Sequence, residues 1–441
     1  MGNYACCAAS YNAGVELPQG KRVLHGSVLV ISLLISLGFW HWTVYILAPA
    51  NTATILAAHR PIGNNSDLYP RWFGARELFL HRRDPYGAEV TREIQIGFYG
   101  RPLNPGNPSD PTAQESFVYP LYAAFLLAPT VKLPFSAVAV FFRWFLLAAV
   151  AATVPLWMYA IRIPARWPII VSGMLLATSS SPAVAEYFQQ NLAALVVLFL
   201  AGAAAAIVAR RLGLAGVLLA LSTVKPDTSG LVVLWLLAWS ITSRQRRALL
   251  WWFAGSLGLL VAAAEVCSPH WIGRFISAVR AYPSYGTDPS IIQVLFPASI
   301  AAVITFAVVL YVAIVCWKWR NAAAGSEYFA WAVALVGTTT LVILPKLAAY
   351  NALLLVPAFL VLISQYGTSS KDVIFSRGMI KAAFACQLWQ WLAAGLLSLA
   401  SLVLPPVWIR TAAHVPDYTS LALWPITLLA LTVVSPRPVK N

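Results

Sequence analysis

Apolar runs, many of them about as long as a bilayer is thick, recur from Ser27 almost to the C-terminus, and most of the loops between them are short. A hydrocarbon core of about 30 Å takes roughly 20 helical residues to cross. Within lipid, only helices and closed barrels satisfy every backbone group, and continuous runs of this length suit the helix. A water-soluble reading fails on charge. Only 10% of the 441 residues are charged and 60% are hydrophobic, whereas soluble domains carry about 25% charge. The pattern predicts an all-α polytopic membrane protein with about 12 crossings.

The net charge of +15 reads as the cytoplasmic bias of Lys and Arg in membrane proteins, not as a nucleic-acid surface. Basic clusters at Arg162/Arg166, Arg210/Arg211, Arg244–Arg247, Lys318/Arg320, Lys371/Arg377/Lys381 and Arg437/Lys440 are expected on the cytoplasmic side. This divides the chain into a cytoplasmic N-terminus (1–26), a first span (27–49), an extracytoplasmic loop (50–134), a helical bundle (135–434) and a cytoplasmic tail (435–441). The first apolar run is too long for a cleavable signal and lacks a small-residue cleavage site. Five scattered cysteines show no metal-ligand spacing, and a disulfide framework is not expected. Cys6 and Cys7 follow Met1-Gly2-Asn3, but position 6 lacks the Ser or Thr of an acylation signal.

The loop from Ala50 to Phe117 holds seven of the fifteen acids: Asp67, Glu77, Asp84, Glu89, Glu93, Asp110 and Glu115. Leu68, Trp72, Ala75, Leu78 and Phe79 recur at helical spacing among Arg71, Arg76 and Arg82, which predicts an interfacial amphipathic helix. Asp67 precedes that pattern, so helix capping competes with a catalytic role. Asp84-Pro85-Tyr86-Gly87 reads as a turn. Tyr119–Leu133 is too short to cross and is expected to be re-entrant or interfacial. Leu212–Thr223, equally short and ending at Lys225-Pro226, reads as a broken span.

Arg143 lies inside an apolar run, where a charge is a functional candidate by default; snorkelling to the interface is the alternative. Gln189-Gln190-Asn191 opens another run, where amides could bind sugar hydroxyls or cap a helix. Lys225 and Lys346, each beside a proline, could meet an anion. The six histidines form no HxxxH pair. There is no Walker loop, no GxGxxG opening a βαβ unit and no GxSxG elbow, so a donor substrate is expected to arrive in the membrane.

Several of these elements occur in a familiar order. Ser66-Asp67-Leu68-Tyr69, Gly74-Ala75-Arg76-Glu77-Leu78, Asp84-Pro85-Tyr86, Phe117-Val118-Tyr119-Pro120-Leu121 and Leu133-Pro134 resemble the start of glycosyltransferase family 87. Gln189-Gln190-Asn191, Gly216 with Lys225-Pro226, and Pro345 with Tyr350 and Leu353–Pro357 resemble its later elements. The sequence departs from that pattern at His81-Arg82-Arg83, Leu121 and Phe188, and Tyr350 lies near the place of the late histidine.

The resemblance implies a GT-C-type bundle whose long first extracytoplasmic loop carries interfacial helices. It implies transfer, with inversion, of a hexose such as mannose from a polyprenyl-phosphate donor. The acceptor would be an extracytoplasmic glycolipid or glycan, and membrane lipids would be the other partners. Asp67 would be the base, Arg71, Arg143, Lys225 and Lys346 would hold the donor phosphate, and Gln189, Asn191 and Tyr350 would bind substrate. One carboxylate suits direct displacement, and this chemistry demands no cofactor or metal. A transporter or lipid flippase, and an inactive scaffold of the same fold, are the competing readings. The first would need paired charges along a midplane path; here acids are nearly absent from the apolar runs.

Overall fold

The computed structural model describes residues 19–61, 63–104, 106–107, 109–111, 113–164, 166–282, 288–345, 347–366 and 373–434. Every regular element among them is helical. Cys6, Cys7, Lys346, Lys371 and the tail from 435 lie outside the described residues.

The first helix, α1 (Gln19–Trp42), continues through a π-helical turn at Thr43–Leu47 into α2 (Ala48–Ala57). The helix thus runs on past residue 49, where the first span was expected to end. Proline ordinarily breaks a helix because it lacks an N–H and its ring meets the carbonyl four residues back. A π turn just before Pro49 widens the backbone there, a common way for a helix to absorb such a break.

The loop then folds as two helices, α3 (Leu68–His81) and α4 (Ala88–Tyr99), and a short buried segment containing α5 (Ala124–Leu127) between two 3₁₀ turns. The family-like motifs act as its fasteners. A Cβ at Gly74 would collide with the Phe117 ring. The Tyr86 hydroxyl donates to the Tyr119 carbonyl at 2.7 Å, and Asp84 Oδ1 accepts the Tyr86 N–H at 3.1 Å. Asp84 Oδ2 also pairs with Arg274 at 3.4 Å.

The bundle begins with α6 (Phe135–Ile161), followed by the bent pair α7 (Trp167–Thr178) and α8 (Ser181–Gln189), then α9 (Ala193–Val208), α10 (Leu212–Ser222), α11 (Pro226–Ile241), α12 (Arg247–Cys267) and the amphipathic α13 (Trp271–Ala281). Helices at Ala298–Lys318, Glu327–Ile343, Val356–Tyr366, Val373–Ala400 and Leu423–Val433 complete it. Small residues bring the helices close, as is usual in membranes. Gly216 shows the need most clearly: a Cβ there would sit 2.6 Å from the Leu249 carbonyl oxygen and 2.7 Å from the Phe253 nitrogen of α12.

Among the described residues, six helices are long and apolar enough to cross a membrane, or seven if the bent pair is one span. The chain is thus a multi-pass membrane protein, but the dozen crossings expected from the sequence are not found as full-length spans. The reason is physical. α9, α10, α11 and Glu327–Ile343 have 16, 11, 16 and 17 residues. At 1.5 Å per residue, α10 is only about 17 Å long.

One end of these short helices is basic. Arg162 donates to the Ala324 carbonyl, Arg246 to the Ala322 carbonyl, and Gly325 packs against Arg162 and Val208. At their other ends the chain leaves helical geometry at Gln190–Leu192, Thr223–Lys225 and Leu344–Pro345. Non-helical backbone at membrane depth persists only where protein or a cavity satisfies it. The breaks are brought together there and form a recessed polar site.

Candidate active site at the helix breaks

Asp67 occupies the N-cap position of α3, yet its side chain makes no capping hydrogen bond. Its carboxylate turns across the bundle instead. Asn191 Nδ2 donates to Oδ2 at 2.6 Å, and the Tyr350 hydroxyl donates to the same oxygen at 3.1 Å. The Asp67 N–H donates to the Gln189 carbonyl at 2.6 Å. Loop, α8–α9 break and late 3₁₀ segment (Ala349–Leu355) thus close on one carboxylate.

The neighbours are held in turn. Asn191 Oδ1 accepts from the Tyr119 hydroxyl at 3.3 Å and from the Ala193 N–H at 3.1 Å. Arg71 bonds the Asp67 carbonyl, and its guanidinium lies over the Tyr119 ring, 4.7 Å from the centroid. Burial opposes the Arg71 charge, while Tyr119, Asp67 and Glu115 favour it; the balance holds the group above its ordinary range, so it stays cationic.

Lys225 forms a second centre at the α10–α11 break. Its ammonium, 5% exposed as a residue, donates to Thr228 Oγ1 at 2.6 Å, Asn351 Oδ1 at 2.9 Å and Asp227 Oδ2 at 3.1 Å. It also lies over the Tyr350 ring at 5.4 Å. Tyr350 therefore joins the two centres. Pro226 opens α11, where its missing N–H costs nothing, so Asp227 falls in the first turn.

Glu186 is the residue that sequence reasoning passed over. It is fully buried on α8, one turn before Gln190. Oε1 accepts the Ala194 N–H at the start of α9 at 2.9 Å, and Oε2 has no hydrogen-bond partner. Glu186 thereby fixes the left-handed turn at Gln190 (φ 52°) that presents Asn191 to Asp67. Its position just before Gln189-Gln190-Asn191 was the available signal. Tyr119 stood inside the Phe117–Leu121 motif without an assigned role, and Thr228, Asp227 and Asn351 were visible only as neighbours of motif residues.

Three expected site residues stand differently. The Gln189 side chain is exposed, and only its carbonyl reaches Asp67. The inward amide is that of Gln190, whose Nε2 bonds the Ala139 carbonyl of α6. Arg143, one turn further along α6, lies over the Tyr187 ring at 4.8 Å, and its buried Nε has no hydrogen-bond partner. No hydrogen bond among the described residues joins it to Asp67 or Lys225. Lys346 lies outside the described residues.

Beside Lys225 opens a cavity of about 440 Å³, lined among others by Tyr119, Lys225, Asp227, Phe275 and Arg280. Asp67 does not line it; Tyr119 and Asn191 bridge the carboxylate to its wall. Among the described residues no group of three or more His, Cys, Asp or Glu is placed to hold a metal ion. The arrangement offers an oriented carboxylate, cations and a partly apolar recess: a proton acceptor beside a pocket lined by Lys225 and Arg280.

A model of glycosyltransferase family 87 matches residues 117–345, more than half of the chain. The match contains Asn191 and Lys225, begins after Asp67 and ends just before Tyr350. No curated protein and no solved structure matches the chain. The extent of the match is decisive: the chain belongs to glycosyltransferase family 87, and is a membrane glycosyltransferase acting on a sugar donor and an acceptor.

Proposed function

We propose that this member of glycosyltransferase family 87 moves a hexose, mannose or a close relative, from a polyprenyl-phosphate donor to an acceptor hydroxyl, with inversion, on the extracytoplasmic side. The acceptor is a glycolipid or glycan. Asp67 is the general base. The acceptor oxygen bonds to C1 as the C1–O bond to phosphate breaks, the electron pair leaves with the phosphate, and the hydroxyl proton passes to Asp67.

The observation that carries this reading is the aim of the Asp67 side chain. A capping aspartate bonds the first free N–H groups of its own helix; this one is oriented by Asn191 and Tyr350 from distant elements. Positioning of this kind is what general-base catalysis requires. Direct displacement needs one such carboxylate, unlike the paired carboxylates of glycoside hydrolases. The Arg71 cation beside the carboxylate suits an anionic leaving group, and Lys225 adds positive charge to the wall of the cavity. The orientation across the membrane rests on the gathering of Arg162, Arg246 and Arg320 at the end opposite the site.

The test is incubation of membranes with labelled polyprenyl-phosphate mannose, comparing wild type with Asp67→Asn at matched expression. Label transfer by wild type and its loss in the variant are the expected results. Near wild-type turnover of Asp67→Asn would remove Asp67 as the base. External labelling of a cysteine placed at position 246 in intact cells would overturn the sidedness.

A further inference from the structure

Lys225 was the natural candidate to hold the donor phosphate, but its valence is taken. An ammonium has three N–H donors, and all three are engaged, by Thr228, Asn351 and Asp227. In this arrangement it organises the cavity floor by fastening the late 3₁₀ segment to α11. A phosphate entering the cavity needs another cation.

Arg280 lines the same cavity and is exposed. Among the described residues it makes no hydrogen bond and no ion pair. It stands at the end of α13, and Ile276 and Val279 beside it also line the cavity. The helix is fixed at its other end: Trp271 meets Tyr122 edge-on at 5.7 Å, and Arg274 pairs with Asp84 at 3.4 Å. Arg280 is thus a cation with no hydrogen-bond or ion-pair partner among the described residues, on an anchored amphipathic helix, beside an apolar wall.

We propose that Arg280 is the residue that grips the phosphate of the isoprenoid lipid in this cavity. The proposal rests on the donor reading above. A cavity of about 440 Å³ lies within the roughly 300–1,000 Å³ of small-molecule sites. It takes a sugar-phosphate head, and the tail runs past Ile276 into lipid. The donor phosphate is a diester with one negative charge. Breaking its bond to C1 leaves a monoester, which carries about −1.5 to −2 at neutral pH. A guanidinium at this point therefore binds the leaving group more tightly than the donor, the condition for lowering the barrier rather than only binding substrate. Its planar donors can also engage two phosphate oxygens at once.

The experiment uses the purified full chain in phosphatidylcholine nanodiscs, titrated with farnesyl phosphate and with farnesol as its uncharged counterpart. Wild type should bind the phosphate more tightly. Arg280→Gln should lose about tenfold or more of that affinity while binding farnesol as before, and Arg280→Lys should recover part of the loss. Unchanged farnesyl phosphate binding by Arg280→Gln would overturn the proposal. An equal loss for both ligands would do the same, since it would report a damaged apolar wall. Displacement of farnesyl phosphate by added phosphatidylglycerol would overturn the assignment to the isoprenoid lipid. If wild type itself does not distinguish the two ligands, it is the donor reading that fails. If wild type distinguishes them and Arg280→Gln does so equally, only the role of Arg280 fails.

Discussion

Asp67 and Glu93 lie on the same loop, and their surroundings differ in kind. Glu93 shares Arg83 with Glu77, through bonds of 2.7–2.9 Å that span at most ten residues of sequence. Asp67 takes its hydrogen bonds from Asn191 and Tyr350, which lie 124 and 283 residues away. Glu93 is neutralised by a cation nearby in the chain and serves to close α3 onto α4. Asp67 is oriented by uncharged donors from distant elements, whose hydrogen bonds aim the carboxylate across the bundle. The separation of partners along the chain distinguishes an acid that folds the loop from one that ties distant elements together, the one we propose as the base.

The largest test of that contrast is Asp67→Asn. Turnover should fall about 10²–10⁴-fold with expression and thermal stability nearly unchanged, measured by label transfer beside a melting curve. Equal losses of stability and activity would make Asp67 another fastener.

Lys225→Met should come next and should show mainly as destabilisation. It strips a buried network of its ammonium and leaves Asp227, Thr228 and Asn351 facing an apolar side chain. Removing one partner of a buried charged network typically costs about 3–5 kcal/mol, read as a lowered melting temperature in detergent. A stable variant with only a raised donor KM would return Lys225 to the role of phosphate ligand.

Tyr350→Phe deletes one hydrogen bond to Asp67 and leaves Asn191 in place. A single bond contributes about 0.5–1.5 kcal/mol, so kcat should drop by about tenfold or less. A loss as deep as that of Asp67→Asn would make Tyr350 a participant in proton transfer.

Glu93→Gln should be the mildest, with under about 1 kcal/mol of stability lost, as for exposed ion pairs, and unchanged turnover. Its pH dependence has a definite sign. The hydrogen bond from Arg83 holds the Glu93 carboxyl below its usual value. Its contribution is therefore complete above the unfolded carboxylate pKa of about 4.3 and is lost as pH falls through the lower folded value. Acid melting curves of wild type and Glu93→Gln should converge below that point. Convergence at neutral pH instead would mean that the pair contributes nothing.

Much of this molecule is determined by sequence alone, because the forces involved are local or compositional. Apolar runs with so little charge require a membrane. Prolines mark the breaks at Lys225-Pro226 and Pro345, and the order of weak motifs placed the family. The number of full crossings was not legible. A run of 11 residues such as Leu212–Ser222 has the same apolar character as part of a long span, and only packing reveals that it stops at a recessed site. Side-chain aim was equally hidden. Gln189 and Gln190 are alike as letters, yet the left-handed turn at Gln190 sends one amide outward and the other into α6. Arg143 and Lys225 are both cations in apolar surroundings, yet one rests on the Tyr187 ring and the other binds three oxygens. Those outcomes depend on elements far apart in the chain, whose relative placement is set by close helix contacts such as Gly216 on α12, and no local pattern encodes that.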